Sequence, residues 1–109
     1  MKVIFCLVLV ILLFAPTAFA AQVYGTLKEA DQPVEAGVRI DIACANNTSS
    51  GQTDAHGSYS IYVQQRGRCT FTVHYRGQHP HTDIYSYDDP VKYDFDLVQT
   101  PGGYELRRR

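Results

Sequence analysis

The stretch Thr53-Asp54-Ala55-His56-Gly57-Ser58-Tyr59-Ser60-Ile61-Tyr62-Val63, a turn followed by a strict alternation, decides the fold class of this chain. In the turn, Asp54 is suited to accept bonds from backbone N–H groups two residues on, and Gly57 can take positive φ without a side-chain clash. Beyond it, Tyr59, Ile61 and Val63 alternate with Ser58, Ser60 and Tyr62, the period of a half-buried strand and not of a helix. The same period recurs on both sides. Upstream, Val38, Ile40, Ile42 and Cys44 alternate with Arg39, Asp41 and Ala43, and Gln22 to Leu27 makes an earlier strand. Downstream, Cys69, Phe71, Val73 and Tyr75 alternate with Thr70, Thr72 and His74, and Ile84 to Tyr87 is a short strand. Tyr93, Phe95 and Leu97 alternate with Lys92, Asp94 and Asp96, and Tyr104 to Leu106 adds a last strand. Between them lie Asp31-Gln32-Pro33, the run Asn46 to Gly51, Gln65-Arg66-Gly67 and Thr100-Pro101-Gly102-Gly103, all turn chemistry. No stretch after Ala21 has helical periodicity. The pattern predicts an all-β, antiparallel, seven-stranded Greek-key β-sandwich forming one domain over residues 21–109.

The order of segments resembles the carboxypeptidase regulatory-like domain, a transthyretin-like (prealbumin-like) β-sandwich. The matching residues are Val23-Tyr24-Gly25-Thr26-Leu27, Gln32-Pro33-Val34, Ala36-Gly37-Val38-Arg39-Ile40, and above all the Thr53 to Ile61 stretch. That stretch is similar to the family's Thr-Asp-x-x-Gly-x-Tyr-x-Leu/Ile hallmark. Gly67-Arg68-Cys69-Thr70-Phe71-Thr72-Val73, with the turn glycine Gly77 after it, continues the match. The resemblance implies a fold in which Asp54, Gly57 and Tyr59 are folding residues. It also implies a non-catalytic module of the kind used for binding, spacing or assembly in secreted and envelope proteins.

The start of the chain carries a different signal. Lys2, the apolar run Val3 to Phe14, Pro16 and then Ala18-Phe19-Ala20 read as a signal peptide over residues 1–20, cleaved after Ala20. The 12 residues of that run span about 18 Å as a helix, short of the ~30 Å hydrocarbon core. Cys6 sits too early in it to be an acylated lipoprotein cysteine. Of 109 residues, removal of 20 leaves 89, with nine basic against eleven acidic side chains and a formal charge of −2. Such a balance excludes the basic footprint of a nucleic-acid binder, and Arg107-Arg108-Arg109 reads as a solvated tail. Localisation is expected to be secreted, or periplasmic in a Gram-negative bacterium. In that oxidising setting the two remaining cysteines, Cys44 and Cys69, are expected to form a disulfide, each on the apolar face of its strand.

Chemistry is sparser. Transthyretin-related 5-hydroxyisourate hydrolases share the architecture, use His and Arg residues in a tetramer channel, and end in Tyr-Arg-Gly-Ser. Here Tyr75-Arg76-Gly77 lies mid-chain and the first histidine is His56, so that site is incomplete. An intramolecular isopeptide bond is likewise excluded, because no Asn follows Asn47 to meet Lys28 from a late strand. No serine stands in the context of a nucleophilic triad. The sharpest constellation is His74, His79, His81 and Asp83, within ten positions, a candidate zinc or copper set in which Pro80 favours extended backbone at His79. If Tyr59, Tyr75 and Tyr93 face the core, then Tyr62 and one or both of Tyr85 and Tyr87 project outward, which makes Tyr62, Tyr85 and Tyr87 candidate contact residues for protein or glycan. Asn46 and Asn47 each begin an N-glycosylation sequon. The expectation is a non-enzymatic binding or assembly module without a cofactor, contacting an envelope protein or glycan. A metal-binding envelope protein using the histidine loop is the alternative, and a transthyretin-like hydrolase comes last.

Overall fold

β1 (Ala21–Glu29) is the hub of the fold, and the ten strands of the computed structural model, which describes residues 21–109, are arranged around it. The expected signal peptide falls outside the described residues. The other strands are β2 (Gln32–Pro33), β3 (Arg39–Ala43), β4 (Thr48–Gln52), β5 (Ser58–Val63) and β6 (Gly67–His74). β7 (His81–Ser86), β8 (Val91–Lys92), β9 (Phe95–Thr100) and β10 (Gly103–Arg108) complete the set. β1 carries a six-stranded sheet: its first half pairs with β5 and β8, its second half with β2 and β9, and β10 flanks β9. The second sheet has the order β4-β3-β6-β7. Phe71 of β6 packs between Tyr59 of β5 and Phe95 of β9, with ring centroids 5.3 and 4.9 Å away, so the inner faces interdigitate. Among the described residues no helix is long and apolar enough to cross a membrane.

The class expected from the alternation holds, with two corrections. β1 pairs with β8 and β9 in parallel, so the sandwich is not wholly antiparallel. The strand count also rises from seven to ten. β4 reads as a loop in the sequence because Thr48-Ser49-Ser50-Gly51-Gln52 offers no apolar alternation; it is an edge strand held by backbone pairing to β3. The late strand divides into β8 and β9 around Tyr93-Asp94. There the Asp94 carboxylate replaces a ladder carbonyl, its Oδ1 accepting the Thr26 N–H at 2.9 Å and the Thr26 hydroxyl at 3.1 Å. Opposite this break the backbones approach so closely that a Cβ on Gly25 would overlap the Tyr93 carbonyl.

The β4–β5 turn is built by Asp54, whose Oδ1 accepts the N–H groups of His56 at 2.8 Å and Ser58 at 2.9 Å. These bonds hold its carboxyl below the usual value, the Ser58 bond foremost. Gly57, at φ 71°, returns the chain and offers its carbonyl to the Leu27 N–H at 2.8 Å. Tyr59 then enters the core, its hydroxyl donating to the Tyr93 carbonyl. The β3–β6 register sets Ala43 opposite Thr70, which leaves Cys44 facing Cys69, and the two form a disulfide with Cα atoms 4.4 Å apart, the spacing of a narrow antiparallel pair.

Candidate functional site

Outward-facing positions of the four-stranded sheet build the densest polar network. On β3, Asp41 lies opposite Ser50 of β4 and Thr72 of β6, while His74 stands opposite Arg39. Asp41 Oδ1 accepts the Ser50 hydroxyl at 2.6 Å and Arg39 Nε at 3.1 Å, and its Oδ2 lies 2.7 Å from His74 Nε2. His74 Nδ1 in turn sits 2.9 Å from Nδ1 of His79, their rings meeting edge to face. The Ser50 bond above all, then those of His74 and Arg39, holds the Asp41 carboxyl down at about 2. An ionised carboxylate only accepts, so His74 donates to Asp41 from Nε2, and one further proton is shared in the Nδ1–Nδ1 contact with His79.

The tetrad His74, His79, His81 and Asp83 is not brought together, and that expectation is corrected. Among the described residues no group of three or more His, Cys, Asp or Glu side chains is placed to hold a metal ion. The reason is register. Asp83 lies opposite Thr70, four residues along β6 from His74, or about 13 Å at strand rise, and it pairs with Arg68 at 3.3 Å. His81 lies opposite Thr72 and turns Nδ1 toward the His79 carbonyl at 3.3 Å. The partners that matter, Asp41 and Ser50, went unread in the sequence; the outward parity of Asp41 on its strand was the signal available.

Tyrosine exposure divides as the alternation requires. Tyr59, Tyr75 and Tyr93 are buried, whereas Tyr62, Tyr85 and Tyr87 are 64%, 48% and 52% exposed. They do not share a surface, however. Tyr62 projects from β5 on the outer face of the six-stranded sheet, with Tyr24, 37% exposed, as its diagonal neighbour on β1. Tyr85 projects from β7, the edge of the other sheet, and Tyr87 follows it. The Tyr93 hydroxyl closes that edge, accepting the Tyr85 N–H at 3.0 Å and donating to the Tyr85 carbonyl at 3.2 Å. Asn46 and Asn47 are exposed in the β3–β4 connection.

No protein-family model matches the chain, and no curated protein matches it significantly. Among solved structures it is similar to the 5-hydroxyisourate hydrolase of Klebsiella pneumoniae, with a TM-score of 0.60 at 17% identity, over 82% of this chain and 98% of that one. The fold is transthyretin-like. A 9R-lipoxygenase from Cyanothece PCC8801 also matches, with a TM-score of 0.46 at 13% identity, over 78% of this chain and 17% of that one. At such identities the hydrolase likeness carries the fold alone.

Within this transthyretin-like sandwich, Tyr75-Arg76-Gly77 has a structural job. Arg76 and Gly77, at φ 50° and 77°, form a two-residue turn closed by reciprocal 2.9 Å backbone bonds between Tyr75 and Gln78. The Tyr75 hydroxyl donates to Glu29 Oε1 at 2.6 Å, Arg76 lies over the Tyr75 ring at 5.0 Å, and Tyr104 meets the ring edge-on. The Tyr75 bond holds the Glu29 carboxyl below its usual value, while burial, with Glu29 second, pushes the Tyr75 phenol up to about 12. The terminal arginines are not a solvated tail either. Arg107 and Arg108 belong to β10, Arg108 stacks over Tyr93 at 4.4 Å, and Arg109 Nε reaches Asp96 at 2.8 Å while its Nη2 donates to the Thr26 hydroxyl at 2.8 Å.

Proposed function

We propose that this chain is a non-enzymatic binding or assembly module of the carboxypeptidase regulatory-like kind, exported by its N-terminal segment and contacting a protein or glycan outside the cytoplasm. The observation that carries this reading is the exposure of Tyr24, Tyr62, Tyr85 and Tyr87 on an otherwise polar surface. Such rings bury large area on contact at little entropic cost and keep a hydroxyl for hydrogen bonding. The Cys44–Cys69 bond supports export, since structural disulfides are common in oxidising compartments and rare in the cytosol. Against nucleophilic hydrolysis stands the direction of the Ser50 hydroxyl, which donates to Asp41 and not to a ring nitrogen. With Tyr24 and Tyr62 on one sheet and Tyr85 and Tyr87 on the other, the module has two candidate contact faces. Affinity capture from envelope extracts with Tyr24→Ala/Tyr62→Ala and Tyr85→Ala/Tyr87→Ala proteins tests it. Loss of a captured protein or glycan in one variant assigns the face; capture unchanged in both overturns the reading.

A further inference from the structure

We propose that the Nδ1–Nδ1 contact between His74 and His79 is a proton-operated latch, closed while the two rings share one proton and opened when both become imidazolium, so that acid frees the His79 side chain from the four-stranded sheet. The contact is a hydrogen bond of 2.9 Å, in which one nitrogen donates and the other keeps a lone pair. His74 already carries a proton on Nε2, which it donates to Asp41 at 2.7 Å. The pair is therefore complete with both rings neutral or with one of them charged. When both are charged, two N–H groups and two positive charges face each other and no lone pair remains, so the bond is lost.

The surroundings decide which side moves. Asp41 is held ionised, its carboxyl kept at about 2 by the Ser50 hydroxyl foremost and then by His74 and Arg39, so it still accepts from His74 in acid and that bond becomes charge-assisted. His74, partly buried on β6, stays with it. Arg39 stands opposite His74 and adds a further positive charge beside the pair, while across from Asp41 and Arg39 β4 places the uncharged Ser50 and Gln52. In the turn, Arg76 is engaged by Tyr75 and Glu29. From β7, His81 turns Nδ1 to the His79 carbonyl, and from β10, Tyr104 and Glu105 line a cleft together with His79 and His81. Glu105 gives that cleft a carboxylate, a counter-charge for the freed imidazolium. The backbone on either side of His79 is fastened independently of its ring: Tyr75 and Gln78 exchange two 2.9 Å bonds, and the Pro80 carbonyl accepts the Val73 N–H at 2.9 Å. Opening therefore swings one exposed side chain and leaves the turn in place, changing the shape and charge of the surface between the β6–β7 connection and β10.

The test is long-range proton–nitrogen NMR of the oxidised protein, which reads the protonation of each imidazole nitrogen, together with nuclear Overhauser contacts between the two rings. It runs from about pH 8 to about pH 4.5, across the range in which histidine side chains change charge. At the upper end His74 is expected to be protonated on Nε2 and its ring to contact that of His79. The ring contacts should vanish once both rings are imidazolium, while the Val73 and Tyr75 amides keep their protection from hydrogen exchange. Mobility of the His79 ring, from relaxation at its Cε1, should rise on acidification in wild type and stand at the acid level already at the upper pH in His74→Gln. The wild-type titration decides the matter by itself if that variant fails to fold. The proposal is overturned by ring contacts that persist with both rings charged, by their absence at the upper pH, by a His79 ring equally mobile throughout, or by the same rise at His56 in the β4–β5 turn, which would make it a general effect of acid.

Discussion

Replacing both disulfide cysteines with alanine tests how much the covalent link between the neighbouring strands β3 and β6 stabilises the sandwich. Cys44 and Cys69 are 25 positions apart, and the loop they close contains β4, the crossing to β5 in the other sheet, and the return to β6. In the unfolded chain, releasing a loop of about 25 residues raises the entropy by an amount worth about 3.5 kcal/mol at 25 °C. A domain of this size is stable by only about 4–13 kcal/mol, so the loss is a large fraction of the whole. At about 4–8 °C per kcal/mol, melting should fall by about 14–28 °C. Guanidinium unfolding followed by far-UV circular dichroism, or by tyrosine emission since the chain has no Trp, measures it. Three samples decide the cause: oxidised wild type, wild type reduced with dithiothreitol, and Cys44→Ala/Cys69→Ala. If loop entropy dominates, the last two coincide about 3 kcal/mol below the first. A loss under about 1 kcal/mol in both would refute the loop argument. A large loss confined to the double variant would place the effect in packing around buried Cys69.

Three further outcomes follow from particular contacts. Gly25→Ala should destabilise by about 1–3 kcal/mol or prevent folding, because its Cβ overlaps the Tyr93 backbone, while Gly102→Ala, with open space around it, should melt like wild type. Tyr75→Phe should cost about 1–2 kcal/mol near neutral pH through the lost bond to Glu29. The Tyr75 phenol is raised to about 12, so its stabilising effect is complete below about pH 10 and is lost between there and pH 12. Glu29 is shifted down, so its part is present above the usual carboxylate value and is lost on acidification. Both limbs of a melting-temperature profile should therefore flatten in Tyr75→Phe, and an unchanged alkaline limb would contradict the assignment. Arg109→Ala should lower stability by about 1 kcal/mol, less at high salt, since the 2.8 Å pair with Asp96 is only partly screened; no change would return the arginines to a solvated tail.

Strands whose signal is local were legible. Ser58 to Val63 and Gly67 to His74 each alternate apolar and polar residues over their own length, and side-chain parity alone says which residues face inward. β4 has no such signal, because an edge strand of Thr, Ser, Gly and Gln is held by the backbone of β3, which composition does not reveal. The parallel pairing of β1 with β8 and β9 was equally hidden, since it depends on where the chain lies after crossing between sheets, not on either segment's composition.

The candidate sites show the same limit one level higher. Parity correctly put His74 and Asp41 on an outward face, yet their meeting depends on the β3–β6 register across 33 residues of chain. Nearness in sequence suggested Asp83 instead, and β7 carries that residue about four strand positions away, into a pair with Arg68. Tyr62 and Tyr85 are both outward, but outward from different sheets, so the candidate contact residues fall on two faces. In a sandwich, parity distinguishes inside from outside, whereas sheet membership and register decide which outside residues meet. The Asp41–His74 contact and the two tyrosine faces thus depend on non-local pairing, and a one-residue slip between β3 and β6 would turn Asp41 into the core and separate it from His74.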